Sequence, residues 1–295
     1  MPTYPNRGSS RASVNAHRHR VDASIQNYVL GNSVAEQNRL RMQAGFLEKW
    51  TEEFLVSAGL TPGMRVLDVG CGMGDVSMLA ARLVGETGSV TGLDRDGVVL
   101  SRARERVSHE MRLARVEFIE SDLFDFRARH EFDAVIGRYF LLYQPDPVAA
   151  ISQAARQVRS GGIIVFHELD FANLMRSYPD GTLFARMQML LAETFRRAGF
   201  FPDLGLHLTR FYLDAGLPWP VIQAQVPVGG RPGSFIYRWM TETLRSLLPR
   251  IEQFGLATAA ELDLDTLVSR MDAEGVARQS QLLGPIQFGA WTNKG

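Results

Sequence analysis

The fold is decided by the stretch Val66-Leu67-Asp68-Val69-Gly70-Cys71-Gly72-Met73-Gly74-Asp75. Its first half is an apolar run that predicts a buried strand over Arg65–Val69. Three alternate glycines follow, and a helix is predicted over Val76–Val84. Glycine is favoured where φ is positive or where a ligand touches the backbone, and a helix start presents free N–H groups. The order of strand, glycine turn and helix therefore predicts a ligand-binding unit.

Short apolar strands alternate with helices along much of the rest of the chain. The predicted strands are Arg65–Val69, Ser89–Leu93, Val116–Ile119, Phe132–Ile136, Ile163–Phe166, Val221–Val228 and Ile286–Trp291. Further helices are predicted over Val98–Val107, Pro147–Val158, Leu183–Ala198, Phe235–Phe254 and Leu264–Val276, and the second of these is predicted to be closed by Gly161-Gly162. Such alternation is typical of parallel βαβ units. It predicts an α/β fold, a doubly wound and mostly parallel sheet of seven strands, whose ligands bind at the carboxyl ends of the strands.

The composition excludes several classes of protein. Hydrophobic residues make up 45% of the 295 residues and charged residues 22%, which is ordinary for a globular protein. There are 32 basic and 32 acidic residues, so no net positive charge favours nucleic acid or an anionic membrane. The single cysteine, Cys71, excludes an intrachain disulfide. No secretory signal and no membrane-spanning run is recognised, which favours a cytoplasmic protein.

The chain is predicted to have three parts. Residues 1–20 carry four arginines and no acid, so residues 1–22 are predicted to form a mobile basic tail, with an anion-binding arm as the alternative. Residues 23–60 have helical spacing and are predicted to form N-terminal cap helices. Residues 61–295 form the main domain, with a helical insertion at about residues 230–260. No linker rich in proline or glycine separates a second autonomous domain.

Two acidic residues at predicted strand ends narrow the choice of ligand. The third glycine comes one position too early for the dinucleotide fingerprint, which wants glycine where Asp75 stands. A carboxylate at that place repels a pyrophosphate. Asp94, about 20 residues past the loop, can accept hydrogen bonds from both ribose hydroxyls. Asp122, after the third strand, can accept one from an adenine amino group, with Leu123 packed on the ring.

The glycine loop together with Asp94 and Asp122 resembles the class I S-adenosylmethionine-dependent methyltransferases of the bacterial small-molecule type. The resemblance is strong over about residues 60–170. It implies a Rossmann-like fold with S-adenosyl-L-methionine as cofactor and S-adenosyl-L-homocysteine as its product. It also implies a set of cofactor-binding residues: Tyr28, Gln43, Gly70, Cys71, Gly72, Asp94, Arg95, Asp122, Leu123 and Arg138.

The candidate catalytic residues are His167 and Glu168, at the end of the predicted fifth strand. His167 is the natural base at neutral pH, and Glu168 is one if burial raises its pKa. Neighbouring residues of a strand point to opposite faces, so the two do not readily face one substrate. The alternative is that both are structural polar residues. A metal site formed by His167, Glu168 and Asp170 is a weak possibility, and no metal is predicted.

Aromatic and methionine side chains in the predicted caps favour a closed apolar pocket, although such a stripe is also typical of a core. We therefore expect methylation of a small, largely apolar metabolite at O, N or C, in secondary metabolism, by a monomer or homodimer. Two alternatives stay open. The fold also suits an enzyme that binds the same cofactor but catalyses a cyclisation or rearrangement, and it suits a binding protein without catalysis. Nucleic acid and membranes are not expected as partners.

Overall fold

The structure is a computed structural model that describes residues 34–108, 115–173 and 175–295. Its helices are α1 (Val34–Ala58), α2 (Asp75–Val84), α3 (Gly97–Ser108), α4 (Pro147–Ala155), α5 (Thr182–Arg197), α6 (Leu208–Asp214), α7 (Phe235–Gln253), α8 (Ala259–Leu262) and α9 (Leu264–Arg278). Its strands are β1 (Arg65–Val69), β2 (Ser89–Asp94), β3 (Arg115–Glu120), β4 (Phe132–Arg138), β5 (Val158–Asp170), β6 (Arg176–Tyr178), β7 (Val221–Gln225), β8 (Val228–Gly229), β9 (Gln281–Leu283) and β10 (Ile286–Asn293).

The main sheet of the described chain has seven strands in the order β3-β2-β1-β4-β5-β10-β7. The first five strands along the chain run parallel, and β10 lies antiparallel to both β5 and β7. The strand order reverses between β1 and β4. The helices that follow these two neighbouring strands, α2 and α4, therefore pack on opposite faces of the sheet. In an open parallel sheet this switch point is where ligands bind, at the carboxyl ends of the strands. The predicted fold class is confirmed.

The core lies on both faces of this sheet, because its central strands are almost continuously apolar. Val66, Leu67 and Val69 of β1 are fully buried, as parallel strands covered on both faces require. One buried cluster packs α1 and α2 against the sheet, and a larger one packs α4 to α7 against the other face. Helix α7 also contacts α1 and α9, so the helix within the predicted 230–260 insertion packs between the first and the last of the described helices.

Three sequence predictions miss their boundaries for identifiable reasons. The helix predicted to reach Val158 ends at Ala155, and β5 already begins at Val158. The Gly161-Gly162 pair therefore lies inside β5, where a register shift relative to β4 accommodates it, instead of ending a helix. The strand predicted over Val221–Val228 is divided between two sheets: β7 ends at Gln225 and β8 begins at Val228, next to Pro227, which has no N–H to donate to a strand ladder.

A second sheet of three short strands, in the order β6-β9-β8, was not predicted. Its strands have only two or three residues each, too few to show an alternating pattern. Tyr28 and the basic tail lie outside the described residues, and the predicted division into three parts stays a prediction.

Candidate functional site

The turn after β1 keeps its backbone open because three glycines adopt left-handed conformations. Gly70, Gly72 and Gly74 have φ values of 66°, 53° and 80°. A Cβ added to Gly70 meets the ring of Phe140 at 2.6 Å, whereas a Cβ added to Gly72 meets nothing within 4 Å. Gly70 is exposed. The turn therefore borders open space at Gly72, into which a ligand can bring polar groups against the backbone.

Asp94 at the end of β2 ties this turn to the next loop. Its Oδ2 accepts a hydrogen bond from the Gly72 N–H at 2.9 Å, and its Oδ1 accepts one from the Asp96 N–H at 3.0 Å. The carboxylate is only half-buried. Each oxygen of a carboxylate can accept a second hydrogen bond, so Asp94 has capacity for two hydroxyl groups of a ligand. This geometry fits the predicted ribose contact.

Asp122 and Arg95 lie opposite each other at the ends of β3 and β2. Arg95 Nη1 and Asp122 Oδ2 are 3.7 Å apart, and the Arg95 side chain is 55% exposed, so this ion pair is weak and easily opened. Asp122 Oδ1 accepts a hydrogen bond from the Phe124 N–H. Leu123 is 4% exposed and packs in the core. Cys71 is also buried, and burial raises the pKa of its thiol, so Cys71 is a packing residue that stays protonated.

Asp68 and Ser77 are buried beneath the turn, and neither was predicted as part of the site. Asp68 Oδ2 accepts a hydrogen bond from Ser77 Oγ at 2.6 Å. Burial raises the pKa of Asp68 to about 7, although Ser77 and the charge of Arg138 act in the opposite direction. Arg138 Nη1 donates to Thr51 Oγ1 at 3.2 Å. Arg138 is thus connected to α1 and exerts its charge on the residues below the glycine turn.

His167 lies in the middle of a chain of polar side chains from three elements. Its Nε2 is 3.1 Å from Gln287 Oε1 of β10, and its Nδ1 is 3.1 Å from Thr51 Oγ1 of α1. Gln287 Nε2 donates to the carbonyl of Pro285, so Gln287 Oε1 is the amide oxygen and His167 Nε2 carries the proton. Burial and the charge of Arg138 lower the pKa of His167 to about 3.

This burial predicts a specific pH dependence of stability. The folded-state pKa of His167 lies below the unfolded value of 6.5, so its stabilising contribution is complete above pH 6.5 and is lost as pH falls towards 3. Between pH 7 and pH 5 we expect the free energy of unfolding to fall by about 2 kcal/mol more in the wild type than in His167→Gln. Urea unfolding of both proteins at the two pH values measures the difference. An equal fall in the free energy of unfolding in both proteins between pH 7 and pH 5 would exclude a neutral, buried His167.

Glu168 faces the opposite side of β5 and has a different set of partners. Its Oε1 accepts hydrogen bonds from the N–H groups of Phe140 and Leu141, at 2.9 and 2.7 Å, and its Oε2 accepts a longer one from Leu142. Burial raises the pKa of Glu168 to about 8, while these three donors act in the opposite direction. The predicted role of Glu168 as a base stays a prediction. In this geometry the carboxyl holds the loop after β4.

A small cavity lies between α1, α7 and the ends of β4 and β10. Its volume is about 10 Å³, and four aromatic rings and two carboxamides line it: Phe46, Tyr139, Phe235, Trp239, Gln43 and Gln287. Gln43 lines this cavity, and its Oε1 accepts hydrogen bonds from Trp239 Nε1 and Arg39 Nη1, while its predicted contact with the cofactor stays a prediction. Tyr139 has a φ of 53°, unusual for a residue other than glycine. Such strain is often found at functional sites.

Within the described ranges, no group of three or more His, Cys, Asp or Glu side chains is placed to hold a metal ion. Asp170 accepts hydrogen bonds from the N–H groups of Ala172 and Asn173. None of the described helices is both long enough and apolar enough to cross a membrane.

Residues 60–195 match the family model described as a methyltransferase domain. This match supports the predicted resemblance of this part of the chain to the class I S-adenosylmethionine-dependent methyltransferases. Over 129 residues, 43% of its length, the chain is 30% identical to a ubiquinone/menaquinone biosynthesis C-methyltransferase from Shewanella halifaxensis. Over 105 residues, 35% of the chain, it is 35% identical to aklanonic acid methyltransferase from Streptomyces sp. strain C5. The aligned parts span 51% and 47% of those relatives' own lengths.

The fold of the chain is also that of a solved structure. A phosphoethanolamine N-methyltransferase from Haemonchus contortus, in complex with phosphomonomethylethanolamine and S-adenosylhomocysteine, covers 84% of the chain with a TM-score of 0.51. The match covers 53% of that protein at 20% identity, which shows the shared fold.

Proposed function

We propose that this chain binds S-adenosylmethionine at the glycine turn and transfers its methyl group to a small, largely apolar metabolite. The observation that carries the proposal is the open glycine turn with Asp94 at the switch point of the sheet. The match to a methyltransferase domain supports S-adenosylmethionine as the cofactor, and the named relatives indicate the kind of acceptor. One relative acts in ubiquinone and menaquinone biosynthesis, and another methylates aklanonic acid. Aromatic rings around the neighbouring cavity support a similar, largely apolar acceptor.

Six of the predicted cofactor residues have a role in this proposal that their positions allow. The backbone of Gly70 and Gly72 meets the methionine part, while Asp94 accepts hydrogen bonds from the ribose hydroxyls. Asp122 accepts a hydrogen bond from the adenine amino group once Arg95 moves along the ring. Arg138 supplies a positive charge for a carboxylate. When bound, the cofactor supplies an electrophilic methyl group on a sulfonium.

The polar residues near the cavity position the acceptor rather than remove its proton. Both ring nitrogens of His167 are engaged by neighbouring side chains, and its low pKa makes it a poor base. Glu168 is occupied by three backbone donors on the other face of β5. We therefore attribute the rate acceleration mainly to placing acceptor and methyl group in line, and the proton that the acceptor loses passes to solvent water.

Product mass tests this proposal. The purified protein is incubated with S-adenosylmethionine and a panel of quinol, phenol and polyketide acceptors, and the products are analysed by mass spectrometry. A gain of one methylene unit, with formation of S-adenosylhomocysteine, is the expected result. An isomer of unchanged mass supports cyclisation or rearrangement instead. Cofactor binding without turnover of any acceptor favours a binding protein.

Two further expectations belong to this proposal. We expect a monomer or homodimer, which light scattering of the purified protein measures. We also expect a cytoplasmic protein that needs neither nucleic acid nor membrane as a partner, which fractionation of cells producing the protein tests.

A further inference from the structure

The two carboxamides that line the cavity have fixed orientations. Gln287 donates through Nε2 to the carbonyl of Pro285, so only its Oε1 can face Tyr139 and His167. Gln43 receives hydrogen bonds from the indole N–H of Trp239 and from the guanidinium of Arg39, so the shared atom must be its oxygen. An indole and a guanidinium have no acceptor atoms, and a carbonyl has no donor. Neither amide can therefore rotate by half a turn without losing its partners.

These orientations determine what Tyr139 offers to a ligand. Tyr139 Oη is 2.5 Å from Gln287 Oε1, which can only accept, so the phenol donates its single proton to that oxygen. Burial raises the pKa of Tyr139, so this proton is present at neutral pH. The lone pairs of the phenolic oxygen remain for the cavity. Tyr139 can then accept a hydrogen bond from a ligand but cannot donate one.

Gln43 has the complementary property. Its oxygen is engaged by Trp239 and Arg39, while its Nε2 has no hydrogen-bond partner among the described residues. Gln43 is 6% exposed and lines the cavity. An amide nitrogen that faces a cavity without a partner can donate a hydrogen bond to an acceptor on a ligand. The cavity thus presents N–H donors at Gln43 and an acceptor oxygen at Tyr139.

The rings around these two groups favour a flat apolar molecule. Phe46 of α1 and Phe235 of α7 are stacked, with centroids 3.9 Å apart and planes inclined by 19°. A cavity of about 10 Å³ has room for about one water molecule. A ligand therefore enters only when α1 and α7 separate these two rings, and an aromatic ring is the group that best replaces the lost stacking.

From these contacts we infer that the methyl acceptor is an aromatic molecule with a hydroxyl or N–H group and a carbonyl group. Its hydroxyl or N–H donates to Tyr139 Oη, and its carbonyl accepts from Gln43 Nε2. The inference rests on the proposed function, since it takes the cavity as the acceptor site. It adds which polar groups the acceptor carries and which residue recognises each one.

Three small probes of nearly equal size test the inference. Para-hydroxyacetophenone has both groups, para-methoxyacetophenone lacks the donor, and para-ethylphenol lacks the carbonyl. Affinities are measured by NMR titration at slightly acidic pH, with S-adenosylhomocysteine present. We expect the wild type to bind para-hydroxyacetophenone about fivefold more tightly than either other probe, which is the effect of one hydrogen bond.

Two variants should each remove one of the two preferences and keep the other, so each serves as the control for the other. Tyr139→Phe removes the acceptor oxygen, so the hydroxyl probe should lose its advantage over the methoxy probe while the preference for a carbonyl persists. Gln43→Glu keeps the oxygen for Trp239 and Arg39 but removes the N–H donors, so only the preference for a carbonyl should disappear. Tyr143→Phe, which alters a tyrosine outside the cavity lining, should keep both preferences.

The inference is overturned if the wild type binds none of the probes, if it does not discriminate among them, or if either variant keeps both preferences. Calorimetric binding of S-adenosylhomocysteine to the same samples reports on the proposed function separately. Failure to bind this product argues against the proposed function. Binding of it without discrimination among the probes argues only against the assigned polarity of the cavity.

Discussion

Asp94→Ala is expected to weaken the binding of S-adenosylhomocysteine by at least about 100-fold, because it removes two hydrogen bonds to a charged group, which contribute about 1.5–3 kcal/mol each. The wild-type carboxylate has room for two ribose hydroxyls in addition to the N–H groups of Gly72 and Asp96. Alanine removes both ribose contacts, and it also releases the glycine turn from the end of β2. Isothermal titration calorimetry of the wild type and the variant measures the loss.

Asp125→Ala is the matched control, since Asp125 is an exposed carboxylate that follows the neighbouring strand. It removes one negative charge from the same region, and we expect its affinity to stay within about twofold of the wild type. Asp94→Asn adds a second comparison, because asparagine keeps one oxygen as an acceptor. Equal affinities of Asp94→Ala and the wild type contradict the assignment of Asp94 to the ribose.

The fold could be predicted where neighbouring residues along the chain determine it. The apolar run of β1 and the glycines after it give the strand its observed limits, Arg65–Val69, and the alternation with helices gives the parallel sheet. Prediction failed where distant residues decide. Gly161 and Gly162 were expected to end a helix, but both form backbone hydrogen bonds with Lys294, which follows β10, and they lie inside β5 at its register shift against β4. The short strands of the second sheet depend on non-local pairing in the same way.

The candidate site shows the same division. The turn at Gly72 and the acid at Asp94 follow from a local motif and its spacing, and the structure joins them by a hydrogen bond. The partners of His167 could not be predicted, because Thr51 is 116 and Gln287 120 residues away in the sequence. The only indication of Gln287 in the sequence is that it is the one polar side chain in the predicted strand Ile286–Trp291. The chemistry of a histidine depends on such partners. The sequence position of His167 alone suggested a base, whereas in the structure both of its ring nitrogens have hydrogen-bond partners.

Glu168→Leu should lower the free energy of unfolding by about 4 kcal/mol, since a buried donor left without a partner costs about 1–3 kcal/mol. Leucine deprives the N–H groups of Phe140, Leu141 and Leu142 of their common acceptor. Glu168 is fully buried, so water cannot readily replace the carboxyl. Urea unfolding measures the difference. A loss below about 1 kcal/mol would mean that these donors find other partners.

Glu168→Gln separates this structural role from the predicted role as a base. Glutamine keeps an amide oxygen for the N–H groups of Phe140 and Leu141, so we expect a loss of only about 1 kcal/mol in stability. An amide cannot act as a base, and removal of a general base slows a reaction by about 10²–10⁴-fold. We expect methyl transfer by Glu168→Gln to stay within about threefold of the wild-type rate. A loss of 100-fold or more with stability retained would instead restore Glu168 as the base, because the loop after β4 would still be held while only the proton-accepting group had gone.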